Sequence, residues 1–275
     1  MKPAKLEDVE IDLLLKGIHQ IYGYDFREYA DASIKRRLTH WLSVSEFDTY
    51  SQAQSRLLRD PDLFVSLLRG ITVNVTEMFR DPAFFKALRE QVVPFLKTYP
   101  FVKIWHAGCA TGEEAYSMAI LLNEEGMAGR YRIYATDIDE AVLQKASDGV
   151  MSLSEMQKFT RNYQKSGGTS TFADYYTARY DHAILSSSLK KNIIFSPHNL
   201  MADAEFGEMN MILCRNVMIY FKPGLKERCL RLFDSSLIAG GFLCLGLKEV
   251  VEKKKWSQTY EEMVPAMRIY RKRYG

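Results

Sequence analysis

The sequence predicts an α/β protein: a largely parallel sheet wrapped by helices, preceded by a small all-helical domain and interrupted by a small antiparallel β insert. Three observations predict it. Up to about residue 70 the apolar residues recur at helical spacing and no strand pattern occurs. Beyond Pro82, short apolar runs alternate with helical ones, as in strand–helix–strand units. Between about Arg161 and Lys191, β-rich runs stand too close together for crossover helices.

In the first segment, residues 1–70, Ile34, Leu38, Trp41 and Leu42 fall at i, i+4, i+7 and i+8, with breaks around Gly23 and Pro61. The same helix, "ASIKRRLTHWL", sets Lys35, Arg36 and Arg37 beside that apolar face, so these cations are expected to point outward. Residues 71–82, "ITVNVTEMFRDP", read as a packed linker. From 83 to 275 the strands are expected in "VKIWHAG", "RIYATDI", "NIIFSPHNL", "MNMILCRNV", "GFLCLGL" and "AMRIYRK". The insert, about 161–191, carries a Gly167-Gly168 turn signal. Its run "FADYYTARY" is expected to present Tyr175, Tyr176 and Tyr180 on a sheet with an open edge, a tether for an extended peptide separate from the main site.

Composition excludes disordered and fibrous classes: 47% of residues are hydrophobic, 26% are charged, and the net charge is +3. No apolar run reaches a membrane span and the N-terminus is too acidic for a signal peptide, so a cytoplasmic protein without membrane insertion is expected. Cys109, Cys214, Cys229 and Cys244 lie far apart without CxxC spacing, so neither a metal site nor disulfides are expected.

The stretch "WHAGCATGEEAY" joins the first strand to its helix, where open parallel sheets bind ligands. Gly108 and Gly112 would let backbone approach a ligand closely. A dinucleotide turn needs GxGxxG to seat pyrophosphate, whereas this is GxxxG followed by Glu113 and Glu114. Two carboxylates repel pyrophosphate but suit a ligand bearing an amino group or a sulfonium, and S-adenosylmethionine bears both. A nucleoside here also needs an acceptor for its ribose hydroxyls at the end of the second strand. Asp137 in "YATDID" stands there, about 25 residues past Gly112.

These residues carry a resemblance. "NVTEMFRD", "GCATGEEAYS", "ATDID", the pair Asn199-Leu200 and "CRNVMIYF" occur in the order and approximate spacing of the CheR family of chemotaxis receptor methyltransferases, over about residues 15–245. The resemblance implies a Rossmann-like S-adenosylmethionine-dependent methyltransferase sheet with an N-terminal helical domain. It also implies methyl transfer to glutamate side chains on the cytoplasmic domain of chemoreceptors, giving glutamate methyl esters and S-adenosylhomocysteine. Carried over, Asn74, Thr76 and Arg80 line the cofactor pocket from the linker side, with Gly108 in the turn. Glu114 meets the methionine amino group, Asp137 holds the ribose and Asn199 and Leu200 flank the adenine. Arg215 and Asn216 close the pocket, and Tyr220 faces the reacting methyl. Lys35, Arg36 and Arg37 become the docking patch for an acidic receptor helix. One departure stands in "LGLKEVVEKKKW": Leu247 and Lys248 precede Glu249, where the family commonly has Ser-Glu after its glycine.

A substrate glutamate is ionised at pH 7, so no general base is required. Catalysis then rests on aligning carboxylate oxygen, methyl carbon and sulfur while excluding water, with Arg80 and Tyr220 as the orienting groups. Two rival readings share the pocket. A methyltransferase acting on RNA draws support only from the basic C-terminus, "KKKW" and "RIYRKRYG"; the Asn-Pro-Pro-aromatic and Pro-Cys motifs of base methylation are missing. The other rival is a non-catalytic, cofactor-binding adaptor.

Overall fold

The computed structural model describes residues 5–274. The chain forms two compact units: a helical one that runs to Val73 and takes in Leu200–Asp203 and Tyr220–Cys229, and an α/β one made of the remainder.

In the helical unit, helices span Leu6–Tyr22, Asp31–Ser43, Tyr50–Leu57 and Pro61–Ile71. Each buries one stripe: Ile11, Leu14, Leu15 and Ile18 in the first, Ile34, Leu38 and Trp41 in the second. Gly23, at φ 78°, closes the first helix with its N–H on the His19 carbonyl. The fourth helix starts on Asp60, whose carboxylate accepts the N–H groups of Asp62 and Leu63 at 3.1 Å each, with Pro61 in the first turn. Asp60→Ala is therefore expected to cost about 1 kcal/mol, read as a lower denaturant midpoint at unchanged slope, and Asp60→Asn much less. Equal losses in both variants would mean the cap contributes nothing specific.

In the α/β unit, the strands are β1 Val102–Ala107, β2 Tyr131–Asp137, β3 Val150–Ser152, β4 Tyr176–Arg179, β5 His182–Leu185, β6 Ile193–Pro197, β7 Met209–Cys214, β8 Leu237–Leu245, β9 Tyr260–Val264 and β10 Ile269–Lys272. Seven form one sheet in the order β6-β2-β1-β7-β8-β10-β9. The first five are parallel, and β10 runs antiparallel to both its neighbours. Strand β9 is not apparent in the sequence: "YEEMV" puts two acids mid-strand, tolerable because it pairs only with β10 at the sheet edge. The order of strands reverses at β1, whose neighbours are β2 and β7, and this opens a crevice at their carboxyl ends. Helix Glu113–Glu124, which leaves β1, is buried from Ala115 through Leu122.

The small antiparallel sheet, ordered β3-β5-β4, departs from the expected span. It recruits Val150–Ser152 from outside 161–191, and residues up to Lys165 belong to helix Met156–Lys165. Gly167-Gly168 ends that helix and does not turn a hairpin: Gly168 N–H donates to the Tyr163 carbonyl, and a Cβ there would lie 2.2 Å from the Tyr163 ring. The hairpin turns at Tyr180-Asp181, with Tyr180 at φ 54°. Of the three expected edge tyrosines, only Tyr180 is fully displayed, at 88% exposure. Tyr176 packs on Phe172, and Tyr175 donates its hydroxyl to Glu124 at 2.9 Å. Glu124 also accepts from the Tyr163 hydroxyl and pairs with buried Arg89, so a carboxylate at the end of the first sheet helix anchors the insert.

Candidate functional site

The turn after β1 is held from two sides. Gly108 and Cys109 N–H donate to the Thr136 carbonyl of β2 at 2.8 and 2.9 Å, and Ala110 N–H donates to Asp137 Oδ2 at 2.9 Å. Asp137 Oδ1 accepts from Asp139 N–H at 3.1 Å, and Asp139 caps helix Glu140–Asp148 through Ala141 N–H. Burial pushes the Asp137 carboxyl up, against the pull of these N–H groups. The glycines answer a need other than ligand approach alone. A Cβ on Gly108 would lie 2.5 Å from Val217 Cγ2, and one on Gly112 2.9 Å from Ala146 Cβ, so both admit neighbouring protein segments.

Arg215, at the end of β7, was expected to close a pocket; its side chain is only 1% exposed and is spent inside the protein. One terminal nitrogen lies 2.7 Å from Glu114 Oε2, the other 2.6 Å from Asp81 Oδ2, and the guanidinium stacks 4.0 Å from the Phe84 ring. His106 Nδ1 lies 3.0 Å from Glu114 Oε1. Burial pushes Glu114 up, but Arg215 and His106 outweigh it and bring its carboxyl to about 2. Glu114 is thus a fixed anion, with one oxygen on His106 and the other on Arg215 and its side chain 17% exposed.

The linker is pinned to the same helix. Ser117, fully buried, donates to the Glu113 carbonyl at 2.6 Å and accepts Phe79 N–H at 2.9 Å. Phe79 adopts φ 52°, which costs about 1–2 kcal/mol for a bulky L-residue. Complete burial of its ring among Phe85, Tyr163 and Phe172 returns about 2–3 kcal/mol, so packing wins. Asp81, Ala110 and Asn216 are also left-handed, at φ 58°, 47° and 63°. Among the described residues, four of the six non-glycine residues at positive φ therefore lie in the three segments around Arg215, the kind of strain that clusters at functional sites.

A cavity of about 560 Å³ opens beside the turn, lined by Asn74, Thr76, Thr111 and Glu113 and, from the small sheet, by Met151 and His182. The small sheet is thus part of a wall shared with the linker and the glycine turn, and does not stand apart from this cavity. Glu113 accepts from Thr111 Oγ1 and is pushed up by burial. Arg80, Gly108, Glu114, Asp137, Asn199, Leu200, Arg215 and Asn216 do not line this cavity. Arg80 is half-buried, with one terminal nitrogen 3.4 Å from the Val75 carbonyl. Asn199 is half-buried just after β6, and Leu200 is buried.

Tyr220 belongs to the helical unit, where the Arg37 guanidinium lies 5.0 Å from its ring centre. The expected outward cation patch is partly engaged by neighbours. Lys35 is neutralised by Glu7 at 2.9 Å and Asp8 at 2.7 Å, Arg37 is half-buried, and of the three only Arg36 is exposed. Sequence reasoning missed Asp81, His106 and Ser117. It also missed the role of Glu249, a 5% exposed carboxylate whose oxygens accept the N–H groups of Asn216, Val217, Ile219 and Gly246. Only the glycine and acid of "GLKE" hinted at it.

A sheet whose order reverses at the strand carrying a glycine turn, with acids on that turn and at the end of the neighbouring strand, defines a Rossmann-like S-adenosylmethionine-dependent methyltransferase. More narrowly, the chain belongs to the CheR methyltransferase family. Residues 74–265 match its S-adenosylmethionine-binding domain and residues 9–72 its all-α domain. Cher3 of Pseudomonas putida, named as a methyltransferase, is 49% identical over 272 residues, which cover 99% of this chain and 100% of that one. The chemotaxis protein methyltransferase of Listeria monocytogenes is 28% identical over 250 residues, covering 90% and 92% of the two chains. That of Salmonella typhimurium is 29% identical over 253 residues, covering 89% and 84%. The methyl donor is S-adenosylmethionine. Among the described residues, no helix is long and apolar enough to cross a membrane.

Proposed function

We propose that the protein transfers a methyl group to glutamate side chains on the cytoplasmic domain of chemoreceptors, forming methyl esters in chemosensory adaptation within the cytoplasm. One observation carries this reading: Glu113, Glu114 and Asp137 stand at the turn, and Arg215 pairs with Glu114 there and with Asp81 of the linker. Such surplus negative charge suits a ligand bearing an ammonium and a sulfonium. The acceptor oxygens present, those of Glu114 and Asp137 among them, fit S-adenosylmethionine.

When bound, S-adenosylmethionine supplies an electrophilic methyl group on a positively charged sulfur. Glu114 receives the amino group and Asp137 the ribose hydroxyls, while Asn74, Thr76 and Gly108 line the approach. Asn199 and Leu200 flank the base, and Asn216 closes the site. Arg215 acts one layer back, fixing Glu114. Arg80 and Tyr220 orient the incoming carboxylate. Held by these residues, the cofactor would supply its methyl group to that carboxylate oxygen and would leave as S-adenosylhomocysteine. Opposite charges vanish in this step, so excluding water favours it and no proton need move.

The test is to incubate the protein with methyl-labelled S-adenosylmethionine and a receptor cytoplasmic fragment. Label should pass to the fragment and leave as methanol under mild alkali. Alkali-stable label would assign a nitrogen acceptor instead, and cofactor binding without transfer to any receptor fragment would assign a non-catalytic adaptor.

A further inference from the structure

The turn after β8 shows its apolar side chains to solvent. Leu247 is 40% exposed and Val250 57%, although Glu249 and Val251, which flank Val250, are both only 5% exposed. Glu249 holds the turn: its oxygens accept Gly246 N–H at 2.6 Å, Asn216 at 2.9 Å, Val217 at 3.0 Å and Ile219 at 3.2 Å. A Cβ on Gly246 would lie 2.6 Å from Glu249 Oε2, so glycine is needed there. The turn is thereby fastened to the segment that follows Arg215, and Val217 of that segment packs on Gly108 of the glycine turn.

Cations flank the displayed pair along the chain, and one more reaches its backbone. Lys248 and Lys254 are exposed, and Arg268 donates from Nε to the Leu247 carbonyl at 3.4 Å. Glu252, the exposed acid of the stretch, lies 3.7 Å from Lys255. We propose that this turn is a docking surface beside the site, and that its partner is an acidic helix with an apolar stripe. Leu247 and Val250 would meet the stripe, and the cations would meet the flanking carboxylates. Rigid anchoring lowers the ordering cost of such a contact, because Glu249 has already fixed the backbone. The inference rests on the protein-methylating reading above and supplies a surface that Lys35 and Arg37, already engaged, do not.

The test reads binding without turnover, using a fluorescent synthetic helix with leucines at i, i+3 and i+7 and glutamates elsewhere. Lys248→Glu with Lys254→Glu, and separately Leu247→Ser with Val250→Ser, should each weaken its binding about tenfold. S-Adenosylhomocysteine affinity should stay within about twofold of the parent, since neither pair touches the proposed cofactor residues. Absence of helix binding by the parent, unchanged binding by both variants, or preferential retention of an RNA oligomer over the helix would overturn the docking surface. Helix binding that depends on the turn, with no methyl transfer to any receptor fragment, would keep the surface and overturn the proposed function.

Discussion

Arg215→Leu is expected to destabilise the α/β unit by about 3 kcal/mol or more at neutral pH, the range for stripping one partner from a buried ion pair. Leucine roughly keeps the stacking surface over Phe84 but leaves Glu114, 17% exposed, and Asp81, 31% exposed, without their cation. Arg215→Lys should recover only part of the loss, since one ammonium cannot bridge two carboxylates as a planar fork does. The pH dependence has a definite sign. In the parent, Glu114 sits at about 2, so its pairing stabilises fully above the unfolded value near 4.5 and is lost as pH falls through 2. Without Arg215, burial dominates and the group prefers to be protonated. The deficit of the variant should therefore shrink as pH is lowered from 7 towards 4, which denaturant titrations at several pH values would show. A deficit that is constant over that range would mean the ion cluster is not its source.

The resemblance and the pattern of apolar runs led to different parts of the molecule. Strands β1, β2 and β7 are legible because both their faces are covered, which demands continuous apolar residues. Gly112 and Asp137 are legible because a turn at positive φ and a strand-end acid are local requirements. The bond between Arg215 and Asp81 is not local: 134 residues separate its partners, and nothing in either neighbourhood announces it. The pairing of Lys35 is hidden for the same reason. Helical spacing correctly puts it beside the apolar face, but that Glu7 and Asp8 of another helix reach it follows from how the two helices pack. Charges are read well from sequence; what neutralises them is a tertiary fact.

Asp137→Asn is expected to separate affinity from stability. In the parent both carboxylate oxygens are committed to backbone N–H groups, one of them on Ala110 in the strained turn. Asparagine keeps one acceptor and turns an N–H₂ towards the other donor, so the turn loses its hold and the proposed ribose contact loses its charge. S-Adenosylhomocysteine affinity should fall by about 1–3 kcal/mol, or roughly 5- to 150-fold, as calorimetry would measure. Stability should behave differently. Burial raises the Asp137 carboxyl above its unfolded value, so its folded state favours the protonated form, and that contribution is lost as pH rises through the folded value. At neutral pH the parent therefore carries the cost of a buried anion, which the neutral amide removes, and this offsets part of the lost hydrogen bond. The variant should unfold within about 1 kcal/mol of the parent at pH 7 and fall behind it as pH drops below the folded value. Asp137→Ala, which leaves both N–H groups unpaired, should lose affinity and stability together. An asparagine variant that binds as tightly as the parent would remove Asp137 from the cofactor site and leave it only the task of shaping the turn.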